Sequence, residues 1–295
     1  MKSTRTASLA LLHLIVFIWG FTGILGKEIT LDPFALVWWR VMIATVAIGL
    51  FAFVTRRGLG ASIHDIFQFA GVGIITAIHW VCFFSSIKAS NVSVALAVLS
   101  TVSFFVALVA PFIRKERFYF YELVLGAIVI LGLVLIFKFE AQYTWGIIFS
   151  LCAAFFAALF SSFNSNLVKR HGPTKIAFWE MLFALLAVSV FLLFSSGFDT
   201  AFFAISAKDL LLLLLLGVVC TGFAFIASIE VMKVLSPFTC ALTINLEPIY
   251  TIAFALLLYG ESEWMSPQFY LGALIILSTL FIDAWLKRRI RKVKC

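Results

Sequence analysis

The sequence predicts an all-α integral membrane protein of ten transmembrane helices, built as two inverted five-helix repeats. Three observations carry that prediction. The chain is 63% hydrophobic and 12% charged, with a mean hydropathy of +1.13, whereas soluble domains are roughly 45–50% apolar and about 25% charged. Apolar stretches close to the ~20 residues needed to cross a bilayer recur along the whole chain. The second half of the chain also repeats the first.

The first stretch, 7–27, follows Lys2 and Arg5 as a secretory signal would. It is too long for a signal core, holds His13 and Trp19 and lacks an A-x-A cleavage site, so it is read as a retained helix. Further stretches follow at 32–55, 66–87, 90–113 and 119–138, then at 144–168, 174–195, 207–232, 236–259 and 267–286. Lipid leaves no partner for an open backbone, which makes each of them a helix. The polar connections are short, so almost no extramembrane domain is expected.

The net charge of +8 is distributed by side. The N-terminus, alternate connections and the tail 287–294 hold 17 basic residues, among them Lys2, Arg5, Arg56, Arg57, Arg114, Lys115, Lys169, Arg170 and Lys233; the other side holds only Lys27, Lys88, Lys138 and Lys208. By the positive-inside rule both termini are cytoplasmic. The tail KRRIRKVK is a topology anchor beside anionic lipid, and a nucleic-acid partner is not expected. Cys82, Cys152, Cys220 and Cys240 fall inside helices and Cys295 ends the tail, with no metal or disulfide spacing. The sequon Asn91-Val92-Ser93 sits in a tight turn against the membrane and is read as a chance match.

The repeat is visible residue by residue. PFALVWWRVMIA from Pro33 returns as PTKIAFWEMLFA from Pro173, pairing Trp39 with Trp179 and Arg40 with Glu180. Asp65 then pairs with Asp209, Gly73 with Gly217, Lys88 with Lys233, Glu116 with Glu261, and LGA at 125–127 with LGA at 271–273. The halves are therefore 1–140 and 141–295. Five helices is an odd number, so the second half enters the membrane from the opposite side. Inverted repeats of this kind let one fold open to either face around a site near the midplane.

Two five-helix halves, the segment HWVCFFSSIKASNVSVAL at 79–96 and the segment MKVLSPFTCALTINLEPIYTIAFALLLYGE at 232–261 resemble the EamA family of the drug/metabolite transporter superfamily. The likeness covers nearly the whole chain, and its most specific pieces are Leu246-Glu247-Pro248 and the glutamates Glu116 and Glu261 that end each fourth helix. The family often has proline where this chain has Ser103, which leads one to expect a less broken fourth helix here. The resemblance implies a permease of the bacterial inner membrane, commonly an exporter of amino acids or related metabolites. It also implies a central cavity lined mainly by helices 1, 3, 4, 6, 8 and 9.

Ionisable groups are costly in hydrocarbon and turn inward. At about 100° per residue, Ser236, Thr239, Thr243, Glu247, Tyr250 and Thr251 share one arc of the ninth helix. Glu247 is also at mid-depth. It is either a substrate or proton contact, or a brace beside the Pro248 kink; Asn245 lies off that arc and serves helix contact. His79 in the third helix reads a substrate or a proton, or else is a neutral interhelical bond. Trp19 in the first is a flat platform or a packing residue, on a face with Thr22, Gly23 and Gly26. The candidate substrate-binding set is thus Trp19, His79, Thr243, Glu247 and Tyr250, with Glu247 and His79 as candidates for proton coupling. Arg40 and Glu180 are candidate gates or braces. Ser93, Ser100 and Ser103 are read as helix glue, Glu230 with Lys233 as an interfacial ion pair, Leu210–Leu216 as lipid contact, and Trp145, Trp264 and Trp285 as interfacial anchors.

The leading function is alternating-access transport of a small organic solute, without a cofactor or metal, by a monomer or homodimer. One alternative is a membrane sensor or scaffold that keeps the fold without moving solute. Another, an intramembrane enzyme, finds neither an H-E-x-x-H pair nor a G-x-S-x-G elbow, and only the scattered histidines 13, 64, 79 and 171.

Overall fold

The computed structural model describes residues 4–115 and 120–293. Glu116, expected at a turn, lies outside them, as do Lys2, Arg117, Lys294 and Cys295. The first half holds α1 (Arg5–Glu28), α2 (Pro33–Val54), α3 (Ile63–Ala89), α4 in two pieces (Val92–Leu99 and Val102–Arg114) and α5 (Phe120–Phe139). The second holds α6 (Thr144–Leu167), α7 (Pro173–Phe194), α8 (Ala207–Leu214, a π-helical stretch Leu215–Phe223, and Ala224–Val231), α9 in two pieces (Pro237–Ile244 and Glu247–Tyr259) and α10 (Pro267–Val293). Among the described residues eight of these helices are long and apolar enough to cross a membrane. The apolar cores of α5 and α10 are the shorter Val124–Ile136 and Pro267–Thr279. Below, the basic end is the one where Arg56, Arg57, Lys169, Arg170 and Lys233 lie.

Local chemistry sets the helix starts. Asp32 caps α2 by accepting from the Phe34 and Ala35 amides, with Pro33 in the first turn, where its missing N–H costs nothing. Asn91 accepts from the Val94 amide, so the sequon asparagine is spent as the cap of α4. The last helix runs past residue 286 into the basic tail as far as Val293, as good helix formers such as Lys and Arg permit.

The two halves pack as images of one another. Helix α3 lies on α6 and α7, and its counterpart α8 lies on α1 and α2; α2 pairs with α7, α4 with α9 and α5 with α10. Repeat-related residues make matching bonds. Trp39 Nε1 donates to the Phe202 carbonyl at 3.3 Å and Trp179 Nε1 to that of Leu59 at 2.8 Å. Ser62 with Asp65 opens α3, and Ser206 with Asp209 opens α8. Each aspartate then reaches the turn before the other half's second helix. Asp65 lies 3.1 Å from His171 Nε2, while Asp209 accepts from the Thr30 amide at 3.0 Å and its hydroxyl at 2.6 Å. The pair Gly73 and Gly217 serves close approach: a Cβ at Gly73 would meet the Glu180 carbonyl at 2.6 Å, and one at Gly217 the Arg40 carbonyl at 3.1 Å.

The expectation that α4 is less broken than α9 is not met. Both are interrupted at equivalent pairs, Ser100-Thr101 and Asn245-Leu246, where the next N–H reaches three residues back: Thr101 to Val98 and Leu246 to Thr243, each at 3.0 Å. Proline is therefore not what breaks the helix. The interruption belongs to the crossing of α4 and α9, where Asn245 Nδ2 donates to Ser103 Oγ at 3.1 Å across the interface.

Candidate transport cavity between the broken helices

The two breaks face one cavity. Leu99 and Val102 flank the first and line it from α4; Ile244 and Glu247 flank the second and line it from α9. These four positions correspond under the repeat, and only one of them carries an ionisable group. Glu247 is the first residue of its half-helix and is 5% exposed. The free N–H groups of a helix start favour an anionic or hydrogen-bonded carboxyl there.

Helix α3 supplies His79, Trp80 and Phe83. His79 Nδ1 bonds the Ala153 carbonyl of α6 at 2.8 Å, which makes Nδ1 the donor and leaves Nε2 for the cavity. His79 thus makes an interhelical bond and also lines the cavity. Its ring is stacked with Phe83 and tilted against Phe160, with centroids at 6.4 and 5.3 Å. From α1, Trp19 lines the cavity and donates its indole N–H to the Cys220 carbonyl of α8 at 3.0 Å.

The π-helical stretch of α8 is the feature the sequence reading missed. A wider turn turns backbone and side chain outward: Cys220 O meets Trp19, and Thr221 Oγ1 accepts from Arg40 Nε at 2.6 Å while donating to the Leu216 carbonyl five residues back at 2.7 Å. Arg40, 3% exposed, reaches the cavity this way from α2, with its guanidinium 4.2 Å over the Trp80 ring. Its repeat partner Glu180 goes elsewhere. It is fully buried away from the cavity and accepts from Asn164 Nδ2 at 3.0 Å, bracing α6 to α7. Thr243 bonds back to the Thr239 carbonyl at 2.9 Å and Tyr250 packs on Phe17 of α1, so neither is among the side chains lining the cavity. Of the candidate set, Trp19, His79 and Glu247 meet there, joined by Arg40. Cues for this lay in Gly217 and Gly222 flanking Cys220 and Thr221, since small residues inside a helix admit both widening and close neighbours.

From mid-depth the lining continues toward the basic end through Ser161, Ser228, Ala241 and Met232. The opposite end is tied shut. Glu263, fully buried, accepts from the Val92 and Ser93 amides and the Ser93 hydroxyl at the start of α4, and from Lys27 Nζ of α1 at 2.9 Å. Glu28 takes Lys208 Nζ at 2.6 Å and the Tyr259 hydroxyl at 3.0 Å, and Lys88 Nζ donates to the Ile29 carbonyl. Beneath these bonds α1 presses so close that a Cβ at Gly26 would meet the Phe84 ring at 2.5 Å. The helix-glue reading of Ser93 and Ser103 fits their bonds, and Glu230 pairs with Lys233 at 2.8 Å. Within Leu210–Leu216, Leu213 and Leu216 turn into the core while Leu210, Leu211, Leu214 and Leu215 are exposed.

Comparison with known proteins adds to this geometry. A crystal structure described only as "Crystal structure of protein" superposes with a TM-score of 0.71 at 16% identity, covering 97% of this chain and all of its own; it shares the fold. The "Uncharacterized transporter YxxF" of Bacillus subtilis (strain 168) is 22% identical over 260 residues, 85% of this chain and 82% of its own length. The EamA-like transporter family matches twice, over residues 6–138 and 144–283, one match for each five-helix half. The chain is therefore a multi-pass membrane transporter of the EamA-like transporter family.

Proposed function

We propose that the protein exports amino acids or related small organic metabolites by alternating access, with halves 1–140 and 141–295 rocking about the central cavity. In this reading it resides in a bacterial plasma membrane with both termini cytoplasmic, and its basic end faces the cytoplasm. The observation that carries it is the cavity at mid-depth between two repeat-related helix breaks, tied closed by Glu263 and Lys27 at one end and continuing toward the other. An inward-facing exporter loads from that side. Trp19, His79 and Glu247 contact the solute, Thr243 and Tyr250 join as α9 moves, and Glu247 or His79 carries a coupling proton.

The test is flux. The purified protein in proteoliposomes moves at least one member of an amino-acid and metabolite panel, under a pH gradient or in counterflow; no movement of any solute removes the reading. Glu247→Gln and His79→Ala separate the roles, since the variant of the proton carrier loses pH-driven movement while keeping exchange. Unchanged pH-driven flux in both would exclude them as carriers. Metabolite profiling of cells and medium under overexpression names the substrate and direction together.

A further inference from the structure

Arg40 is a buried cation whose bonding is only half used. Its Nε is committed to Thr221 Oγ1 at 2.6 Å, and its face lies over Trp80 at 4.2 Å with Phe84 beyond at 5.4 Å. These contacts fix the guanidinium between α2, α3 and α8. They leave the terminal nitrogens, which carry most of arginine's five donors, without a hydrogen-bonded partner among the described residues. No carboxylate oxygen among those residues comes within ion-pair distance either. Glu247 lines the same cavity, but the two are not bonded. A fixed cation at membrane depth is costly unless something compensates it, and Arg40 is one of the residues that line the cavity.

We infer that Arg40 is the anion-anchoring residue of the cavity, and that the substrate is a monoanionic carboxylate with a flat or branched apolar body. A pre-oriented guanidinium matches a carboxylate with two parallel hydrogen bonds. One charge is the limit, because attraction to a single guanidinium grows in proportion to the ligand's charge while the cost of desolvating the ligand grows as its square, so a phosphate dianion is disfavoured. Trp19, Trp80, Phe83, Phe160 and Phe225 form the wall that receives the rest of the molecule. Thr221 is a positioning residue: it acts through Arg40, and the π-helical turn of α8 puts it there.

This inference rests on the transport reading for its meaning, yet it is tested without flux. The melting temperature of the purified protein in detergent is followed with phenylacetate and 4-methylpentanoate, their neutral amides, and phenylethylamine. The expected result is a concentration-dependent rise with the acids, at least about tenfold weaker affinity for the amides, and no preference for the amine. In Arg40→Gln the acids lose that tenfold advantage and bind like the amides; Arg40→Lys keeps the charge but not the fork and falls between. Should either variant fail to fold, the comparison of acid with amide in the unaltered protein decides the matter alone. No response to the acids, equal response to acids and amides, or a preference for the amine overturns the inference. A protein that binds acids selectively but moves no solute sinks the transport reading and leaves this one standing; solute movement without acid selectivity does the reverse.

Discussion

Helices α4 and α9 are the same element of the repeat, broken at the same place, and they differ in two respects. At the break, α4 carries Val102 and Ser103 where α9 carries Glu247 and Pro248. At the start, α4 is held by the fully buried Glu263 from the other half, while the start of α9 is capped by its own Ser236 at an exposed position. The shared break shows that the architecture, through the α4–α9 crossing and the Asn245–Ser103 bond, interrupts both helices without needing proline. The differences show how an inverted pair is made unequal: one broken helix is tied down at its start and chemically plain at its break, the other is loosely capped at its start and carries the carboxyl at its break.

Breaking the tie has the largest expected effect on stability. Glu263→Ala strips the Val92 and Ser93 amides of their acceptor and Lys27 of its carboxylate, with an expected loss of about 2–3 kcal/mol, since several donors are orphaned at once while Lys27 is free to find water. Thermal unfolding in detergent measures it, and a change within error would mean that the closed end is held without Glu263, by packing and by the bonds of Glu28 and Lys88. At the corresponding position of α9, Ser236→Ala removes an exposed cap and is expected to cost about 1 kcal/mol. A loss as large as that of Glu263→Ala would erase the contrast between the two starts. Pro248→Ser copies the first half into the second. Because proline in a helix's first turn gives up no hydrogen bond, the expected change is smaller still, roughly 0.5 kcal/mol, with the break retained. A large stabilisation with loss of transport would mean that proline does hold the break open after all.

The fold was legible because its causes are repetitive. Ten apolar stretches and paired landmarks such as Trp39 with Trp179 and Gly73 with Gly217 need no tertiary information, and the structure gives those pairs matching contacts. The site was legible only in part. Glu247 and His79 announced themselves as ionisable groups at mid-depth. Arg40 did not, because its destination depends on a π-helical turn in another half of the molecule, 181 residues away. Glu180 shares Arg40's place in the repeat yet is bonded to Asn164 outside the cavity, so repeat position alone did not assign a role. The arc of polar residues on α9 misled for a related reason: the periodicity assumed an unbroken helix, and the interruption at Asn245-Leu246 separates Thr243 from Glu247. Glu263 was not singled out, since nothing near it in sequence says that it meets the start of α4.

Under the proposed function, the carboxyl present in only one of the two breaks is the group the cavity works with. The direct measurement is solute counterflow in proteoliposomes for the unaltered protein and for Glu247→Val, which gives α9 the residue that α4 already has at that place. Exchange by the former and at least about a tenfold loss in the latter are expected, with the variant still folded and monodisperse. Equal exchange by the two proteins would contradict it, and would make Glu247 a brace at the end of a half-helix and nothing more.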